Sequence, residues 1–222
     1  QTVAVVGGTA SGKTTLVRLI PRLYDVGAGS VEVDGVDVRQ MRLEELRDSV
    51  GMVPQEPFLF SMSLRRNLTM GDPEVTESDQ LDRALDIAQL RSTLDVLPDG
   101  LDTSLGERGI NLSGGQKQRA TIARALYRET PILVLDDSLS AVDTVTEEAI
   151  LGGLKEFMAD RTAIVVSHRV TAVAGADAIL VLEDGELVET GTHAELLARG
   201  GVYARLLERQ LLEEELEREE AV

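Results

Sequence analysis

A glycine-rich run near the start of the chain has the residue types and the spacing to bind phosphate. It consists of Gly7, Gly8, Thr9, Ala10, Ser11, Gly12, Lys13 and Thr14. The run matches the pattern G-x-x-x-x-G-K-[ST], in which glycines let successive N–H groups turn into one concavity and the following helix adds its positive end. Lys13 would reach the β- and γ-phosphates of a nucleotide, and the Thr14 hydroxyl would bind Mg²⁺. The alternative is an ordinary glycine-rich turn, but the run lies between a predicted strand and a predicted helix, as the pattern requires.

A second short run, residues 112–116, combines a helix-capping residue with two glycines. Its sequence is Leu-Ser-Gly-Gly-Gln, and Ser113 can cap a helix that begins directly after it. A capped, glycine-rich helix start is itself suited to anions. A structural role and a binding role are therefore compatible here.

The elements that would position these two runs can be predicted from the apolar pattern of the sequence. The strand-sized apolar runs lie at residues 2–6, 49–53, 132–135, 163–166 and 179–182. A helix is predicted over residues 13–22. Asp34-Gly35 predicts a turn with a short strand after it, and Asp184-Gly185 predicts a hairpin turn. The alternation of strands and helices predicts an α/β fold with a mostly parallel sheet. Helical periodicity over residues 76–128 interrupts it, so we predict a core of residues 1–75 and 129–222 with an inserted helical subdomain.

The composition narrows the classes of protein that the chain can belong to. It has 222 residues, of which 43% are hydrophobic, a formal net charge of −17 and no cysteine. Absence of cysteine excludes a disulfide framework and agrees with a cytosolic location. The net charge argues against a nucleic-acid surface, which needs clustered Lys and Arg. No apolar run approaches the roughly 18 residues of a membrane-spanning helix, so any membrane link is expected outside this chain.

Several segments, in order, resemble the nucleotide-binding domain of ABC transporters. They are similar to the Q-loop at residues 53–55, the signature at 112–116, the Walker B strand at 132–136, the D-loop at 140–143 and the H-loop at 166–169. Residues 56–68 and 191–197 resemble the exporter branch, and residues 106–109 resemble its X-loop. The resemblance covers nearly all of the chain. It implies a P-loop NTPase core and a helical subdomain that bears the signature.

The resemblance also implies how the motifs bind ATP. In the family, two such domains face each other head to tail, and each nucleotide lies between the P-loop of one and the signature of the other. The glycine-rich run of residues 7–14 is the P-loop of this chain. Together with Thr15, it would bind the phosphates and Mg²⁺. The signature residues that would close over the partner's nucleotide are Ser113, Gly114, Gly115 and Gln116.

Four further residues receive roles from the resemblance. Gln55 would sense Mg²⁺ and the attacking water, and Asp136 would be a direct or indirect Mg²⁺ partner. Asp143 would couple the two sites across the dimer. His168 would lie near the γ-phosphate. We assign His193 only a packing or surface role, because no phosphate chemistry surrounds it in the sequence.

The chain departs from the family at Asp137, where hydrolysing members have Glu after the Walker B Asp. The Glu orients or deprotonates the attacking water, so its carboxylate must lie within hydrogen-bond reach. Asp is shorter by about 1.5 Å, the length of one C–C bond, and a misplacement of about 1 Å can cost roughly a hundredfold in rate. We therefore expect a site that binds ATP and hydrolyses it slowly, as in the degenerate half of heterodimeric exporters. The alternative is that a shifted backbone makes Asp137 a working substitute.

A second departure is Ala10, where the family often has Gly. Alanine can adopt ordinary helical or extended torsions, so we expect ATP binding to survive. The aromatic residue that stacks on adenine in the family lies upstream of the P-loop and is not assigned in this chain. We expect the upstream β-subdomain and the transmembrane domain to lie outside the chain.

The resulting expectation is an ABC-type ATPase domain that powers export at the cytoplasmic face of the cell membrane. Its partners would be transmembrane domains and a second nucleotide-binding domain, a different subunit that carries the catalytic Glu. The alternatives are an active ATPase in a homodimer, a soluble ABC protein acting on ribosomes or DNA, and a regulatory module that never hydrolyses. At the end of the chain, residues 206–222 predict a helix whose leucines pack on this domain or on a partner.

Overall fold

The computed structural model describes residues 1–70, 78–106 and 111–220 of the chain. The chain divides into two compact units, one comprising Gln1–Val50 and Thr162–Val222 and the other comprising Gly51–Arg161. The predicted division at residues 76 and 128 follows the helical subdomain instead and stays a prediction. Among the described residues, no helix combines the length and the apolar character needed to cross a membrane.

Strands and helices alternate within the described residues. The strands are β1 (Thr2–Gly7), β2 (Glu32–Val33), β3 (Val36–Asp37), β4 (Val50–Val53), β5 (Ile132–Asp136), β6 (Thr162–Val166), β7 (Ala178–Glu183) and β8 (Glu186–Gly191). The helices are α1 (Lys13–Arg18), α2 (Leu43–Ser49), α3 (Leu64–Leu68), α4 (Asp79–Ile87), α5 (Arg91–Leu94), α6 (Gly114–Tyr127), α7 (Thr144–Met158), α8 (His193–Arg199) and α9 (Val202–Glu220). The predicted α/β fold is confirmed.

In the first unit, β1 is a central strand with parallel neighbours on both sides. Val3 is opposite Ile164 of β6 and opposite Ala178 of β7, while β8 runs antiparallel to β7. Residues Ala4 and Val6 on one face and Val5 on the other are almost completely buried, as expected for a strand covered on both faces of a mostly parallel sheet. The core around β1 and β7 also includes residues of α8 and α9, among them the fully buried Tyr203.

Two tight turns confirm the Asp-Gly signals in the sequence. Asp34 and Gly35 connect β2 and β3 with φ angles of 50° and 77°, and Asp184 and Gly185 connect β7 and β8 with φ angles of 49° and 83°. Positive φ at both central residues is what a two-residue hairpin with a right-handed twist requires. The second hairpin gives the first unit its antiparallel edge strand.

Three predicted boundaries differ from the structure. The helix predicted over residues 13–22 ends at Arg18, because Pro21 disfavours helical torsions in the residue before it and cannot donate a backbone hydrogen bond. The strand predicted from residue 49 begins at Val50, since Ser49 is the last residue of α2. The C-terminal helix begins earlier than predicted, at Val202.

The second unit is mainly helical around β4 and β5, which are neighbours in the sheet. Helix α6 packs against α3 and α4, and α4 also contacts α7. The buried apolar residues of these helices include Leu64, Leu68, Leu81, Leu85, Ile122, Leu126, Ile150 and Leu154. The described part of residues 76–128 contains the helices α4, α5 and α6, in agreement with the predicted helical pattern. Most of the predicted X-loop, residues 107–109, lies outside the described residues.

Candidate nucleotide-binding site

The glycine-rich loop follows β1 directly and depends on a glycine at its first position. Gly7 has a φ of 152°, and a Cβ atom there would lie only 2.1 Å from the carbonyl oxygen of Leu182 in β7. At the end of the loop, Gly12 has a φ of 96° and precedes α1. A side chain at Gly7 would overlap with β7, and at both positions the positive φ would strain a residue other than glycine.

Lys13 lies inside the loop rather than in solvent. Its side chain is buried, and its Nζ atom donates to the carbonyl oxygens of Gly7 at 3.0 Å and Gly8 at 2.7 Å and to the Ser11 hydroxyl at 3.4 Å. These oxygens compensate for removing the ammonium group from water. The arrangement places a positive charge in the loop whose N–H groups are expected to cradle phosphate.

The remaining loop residues are more accessible. Thr9, Ala10 and Thr15 are exposed, while Thr14 is half-buried near the start of α1. A ligand can therefore approach the loop from its exposed side.

Ala10 has a φ of 62°, so the expectation of an ordinary helical or extended conformation was wrong. The tight loop requires a left-handed residue at this position, which explains why glycine is the natural choice there. For alanine, this conformation costs roughly 1–2 kcal/mol.

The turn between β7 and β8 contacts the loop, which the sequence analysis did not anticipate. The N–H of Gly185 donates to the carbonyl oxygen of Ser11 at 3.2 Å. The Cα atom of Gly185 lies 3.6 Å from the position where a side chain on Gly12 would begin. No local signal connects these distant residues, because their contact arises from the pairing of β1 with β7.

His168 lies beyond the carboxyl end of β6, which is the parallel neighbour of β1. The N–H of Ser167 donates to the carbonyl oxygen of Val5 at 3.3 Å, so the start of this turn lies at the sheet edge where the loop also begins. His168 is exposed. Within the first unit, its placement at this edge agrees with the usual location of ligand-binding residues in such sheets.

The other histidine, His193, has a structural environment, as expected. Its Nδ1 atom lies 2.7 Å from the hydroxyl oxygen of Tyr203, and the two rings meet edge to face. Burial raises the pKa of Tyr203. The pair joins α8 to α9 in the first unit.

In the second unit, β5 ends in two consecutive acidic residues with different environments. Asp136 is fully buried, and its Oδ2 atom accepts no hydrogen bond in the part of the chain that the structure describes. Asp137 is half-buried and has a φ of 48°. The amide of Gln55 donates from Nε2 to Oδ2 of Asp137 at 3.2 Å. The structure thus brings together two of the predicted catalytic residues.

Asp143 caps the helix that follows the D-loop. Its Oδ1 atom accepts a hydrogen bond from the N–H of Thr146 at 3.0 Å at the start of α7. This backbone hydrogen bond lowers the pKa of Asp143, with smaller contributions from the Thr146 hydroxyl and the charge of Arg119. The carboxylate is therefore ionised and fixed in direction. Its predicted role across a dimer stays a prediction.

The signature residues form the start of α6. Ser113 accepts from the N–H of Gln116 at 3.2 Å, and Gln116 Oε1 accepts from the N–H of Ser113 at 2.8 Å. This reciprocal pair is a capping box. It confirms the predicted capping role of Ser113 and leaves Gly114 exposed.

A second glutamine on α6 was missed by the sequence analysis. Gln118 is 1% exposed, and its Oε1 atom accepts from the N–H of Ala141 in the D-loop at 2.9 Å. Helical spacing alone would only have placed this residue on the buried face of α6.

The residues predicted to hold Mg²⁺ have suitable ligand chemistry. Thr14 belongs to the first unit, whereas Gln55 and Asp136 belong to the second, and each offers an oxygen ligand. In the described residues, no cluster of three or more His, Cys, Asp or Glu side chains forms a protein-only metal site. Oxygen is the ligand that Mg²⁺ prefers, and Mg²⁺ usually binds one or two protein ligands together with phosphates and water.

A loop of this sequence at the carboxyl edge of a mostly parallel sheet defines a P-loop nucleotide-binding domain. The family model described as "ABC transporter" matches residues 1–140, and the chain belongs to this family.

Its relatives include membrane transporters from distant organisms. The chain is 45% identical over 206 residues to the "ATP-dependent lipid A-core flippase" of Thiobacillus denitrificans, covering 93% of this chain and 36% of that protein. It is 44% identical over 207 residues to "ABC transporter B family member 19" of Arabidopsis thaliana, covering 93% of this chain and 16% of the relative. The chain thus spans about a third or less of the length of these relatives.

A solved structure is also similar. It is described as "Structure of a bacterial Atm1-family ABC exporter with ATP bound" and matches with a TM-score of 0.89 and 40% identity. The match covers 95% of this chain and 37% of the other. The exporter resemblance in the sequence is therefore confirmed.

Proposed function

We propose that this chain is the ATP-binding motor domain of an ABC exporter and drives transport by ATP-dependent dimerisation. The observation that carries the proposal is the buried Lys13 ammonium, which lies within 3.0 Å of two carbonyl oxygens of the P-loop. A nucleotide phosphate can replace these carbonyls as the partner of Lys13 and can use the N–H groups of the same loop. The flippase and exporter relatives support ATP as the ligand and a membrane transporter as the larger assembly.

In this proposal, the domain lies at the cytoplasmic face of a membrane and works with transmembrane domains and a second nucleotide-binding domain. Thr14, Gln55 and Asp136 hold Mg²⁺, which neutralises phosphate charge when bound. The signature residues Ser113–Gln116 contact the nucleotide of the second domain. His168 contacts the γ-phosphate and Asp143 takes part in the contact between the two domains.

We assign slow hydrolysis to this chain's own site because residue 137 is Asp. Hydrolysis forms a bond from a water oxygen to the γ-phosphorus, breaks the bond to the bridging oxygen of ADP and releases a proton. The carboxylate at position 137 would orient that water. Because Asp is about 1.5 Å shorter than Glu, the rate at this site would fall by roughly a hundredfold relative to a Glu site. The second domain would then be a different subunit that supplies a Glu.

One observation favours the alternative of an active homodimer. Asp137 has a left-handed backbone, and its carboxylate reaches Gln55 at 3.2 Å despite its short side chain. A backbone in this conformation would support turnover if it carried the short carboxylate to the water. The two candidates differ in whether Asp137 supports turnover by itself.

Steady-state ATP turnover of the full-length transporter tests both candidates. We expect Asp137→Glu to raise turnover, and a Glu→Gln change at the matching position of the second subunit to leave only the slow turnover of this chain's own site, roughly a hundredth of the original rate. Asp160→Glu adds the same methylene at an exposed position after α7 and is the control, so it should leave ATP turnover unchanged. Loss of turnover in Asp137→Ala, together with self-association of differently tagged copies, would instead establish the active homodimer. Failure of the unmodified protein to bind ATP would overturn the proposal as a whole.

A further inference from the structure

We propose that Gln118 is a positioning residue that holds Asp137 through the D-loop and thereby couples the signature helix to this chain's own hydrolytic carboxylate. The inference rests on the proposed function, because it assigns Asp137 a role in ATP hydrolysis. It concerns contacts within the second unit alone.

Gln118 makes a contact that its own helix does not require. Its side chain is 1% exposed on α6, and Oε1 accepts from the backbone N–H of Ala141 at 2.9 Å. A buried side-chain amide is normally kept where its hydrogen bonds are satisfied, because leaving its partner without one is unfavourable. The amide therefore ties α6 to one specific position of the D-loop.

Hydrogen bonds made by the residues on both sides of Ala141 hold the turn that follows Asp137 in shape. The N–H of Val142 donates to the carbonyl oxygen of Leu139 at 3.0 Å, and the Ser140 hydroxyl donates to the carbonyl oxygen of Asp137 at 3.1 Å. Asp137 itself has the left-handed φ of 48°, which is uncommon outside glycine and needs support from its surroundings. The turn thus supports the backbone that carries the carboxylate.

The distance between α6 and the D-loop is also limited by steric contact. A Cβ atom on Gly115 would lie 2.8 Å from the carbonyl oxygen of Ala141. The helix and the turn therefore touch through backbone atoms, with no side chain between them to absorb a displacement. A shift at the start of α6 would move Ala141 and, through the turn, Asp137.

This arrangement connects two functions that the proposal assigns to different nucleotides. The first turn of α6 contains the signature residues, which are proposed to contact the nucleotide of the second domain. Asp137 acts on the nucleotide of this chain. Gln118 lies on the same helix as the signature residues and contacts the D-loop that follows Asp137. Closure over the nucleotide of the second domain would therefore set the position of the carboxylate at this chain's own site.

The test compares three substitutions on α6 in the full-length transporter. Gln118→Met keeps a similar length but removes the acceptor, whereas Gln118→Glu keeps an acceptor for Ala141. Thr121→Val is the matched control: Thr121 is 2% exposed, and its hydroxyl donates only to Lys117 O of the same helix in the contacts described. Turnover at this chain's site is measured with the second site inactivated by its own Glu→Gln change or, if both subunits are copies of this chain, in the unmodified assembly.

We expect Gln118→Met to lower kcat by about tenfold with KM for ATP changed by less than about twofold, because a displaced carboxylate affects the reaction step more than binding. Gln118→Glu should restore most of kcat, and Thr121→Val should stay within about twofold of the unmodified protein. Hydrogen exchange of the amides in residues 137–142 should accelerate in Gln118→Met and not in Thr121→Val. Equal kcat and equal exchange in Gln118→Met and Thr121→Val would overturn the inference.

The same samples separate this result from the proposed function. Binding of a fluorescent ATP analogue to the unmodified protein, and its loss in Lys13→Ala, tests the nucleotide site independently. If the analogue does not bind, the proposed function fails, and the positioning role of Gln118 fails with it even when the exchange result is as expected. If the analogue binds and Gln118→Met behaves like Thr121→Val, only the positioning role fails.

Discussion

The P-loop and the segment around Asp137 are held in shape in different ways. In the P-loop, the ammonium of Lys13 bonds to residues no more than six positions away in the chain. Asp137 is contacted by Gln55, 82 residues away, and its turn is tied to Gln118, 23 residues from Ala141. A binding loop can thus be largely encoded in one short run, whereas the position of the hydrolytic carboxylate depends on packing among distant segments.

This difference has a consequence for how the two functions respond to substitution. Binding should survive many changes outside the loop, since the loop supplies most of its own hydrogen-bond partners. Hydrolysis should respond to changes on α6 and after β4, although neither segment contains Asp137. The following substitutions measure how much the contacts that shape these two regions contribute to stability, in order of decreasing effect.

The largest effect is expected where the P-loop depends on a distant contact. Gly7→Ala places a Cβ atom 2.1 Å from Leu182 O, so β7 and the loop must separate, and the free energy of unfolding should fall by about 3 kcal/mol or more. Calorimetric unfolding measures this loss. Gly8→Ala is the control, because nothing lies within 4 Å of a Cβ atom there. Equal stability of the two variants would show that the close approach to β7 does not shape the loop.

An intermediate effect is expected where α6 holds the segment that follows Gln55. Arg124 donates to the carbonyl oxygens of Asn67 at 2.7 Å and Phe58 at 2.9 Å, and burial lowers its pKa to about 10, so it remains charged at neutral pH. Arg124→Met would leave these acceptors without their donor and should destabilise the protein by about 2 kcal/mol in chemical unfolding.

Arg65→Met is the comparison for this substitution. It breaks the ion pair with the exposed Asp102 and should cost less than about 1 kcal/mol. If the two arginine variants lose the same stability, the hydrogen bonds from α6 do not support the segment after the Q-loop.

The smallest effect concerns strain within the P-loop itself. Ala10→Gly relieves the left-handed conformation of alanine, worth roughly 1–2 kcal/mol, but adds the conformational freedom of glycine to the unfolded chain. The net gain in stability should be about 0.5 kcal/mol. Ala159→Gly, at an exposed position with a φ of −55°, should have the opposite sign and lose about 0.5–1 kcal/mol. Thermal unfolding of both variants decides whether Ala10 is strained.

The C-terminal helix illustrates a limit of periodicity. The spacing of the leucines in residues 206–222 predicts a helix, and it predicts that these leucines pack on this domain or on a partner. Leu207 does pack against the core of the first unit, but Leu211, Leu212 and Leu216 are about half exposed or more. Periodicity identifies the face of a helix, but it does not show where along the helix the contact ends.

Much of the molecule was predictable from the sequence because its determinants are local. Apolar runs predict the buried strands β1, β5, β6 and β7, and Asp-Gly pairs predict both tight hairpins. The spacing of the glycines, Lys13 and Thr14 predicts the phosphate loop, because only residues with these torsions and charges can surround phosphate at such short range. The family also follows from the order of short motifs.

Tertiary structure decided the contacts between residues that are distant in the chain. It placed Gly7 against Leu182, the amide of Gln55 on Asp137 and the amide of Gln118 on Ala141. It also placed Ala10 and Asp137 in left-handed conformations, against the ordinary preference of their residue types. A left-handed conformation costs roughly 1–2 kcal/mol per residue, which the packing of strands and helices around these positions outweighs, so the packing determines their geometry.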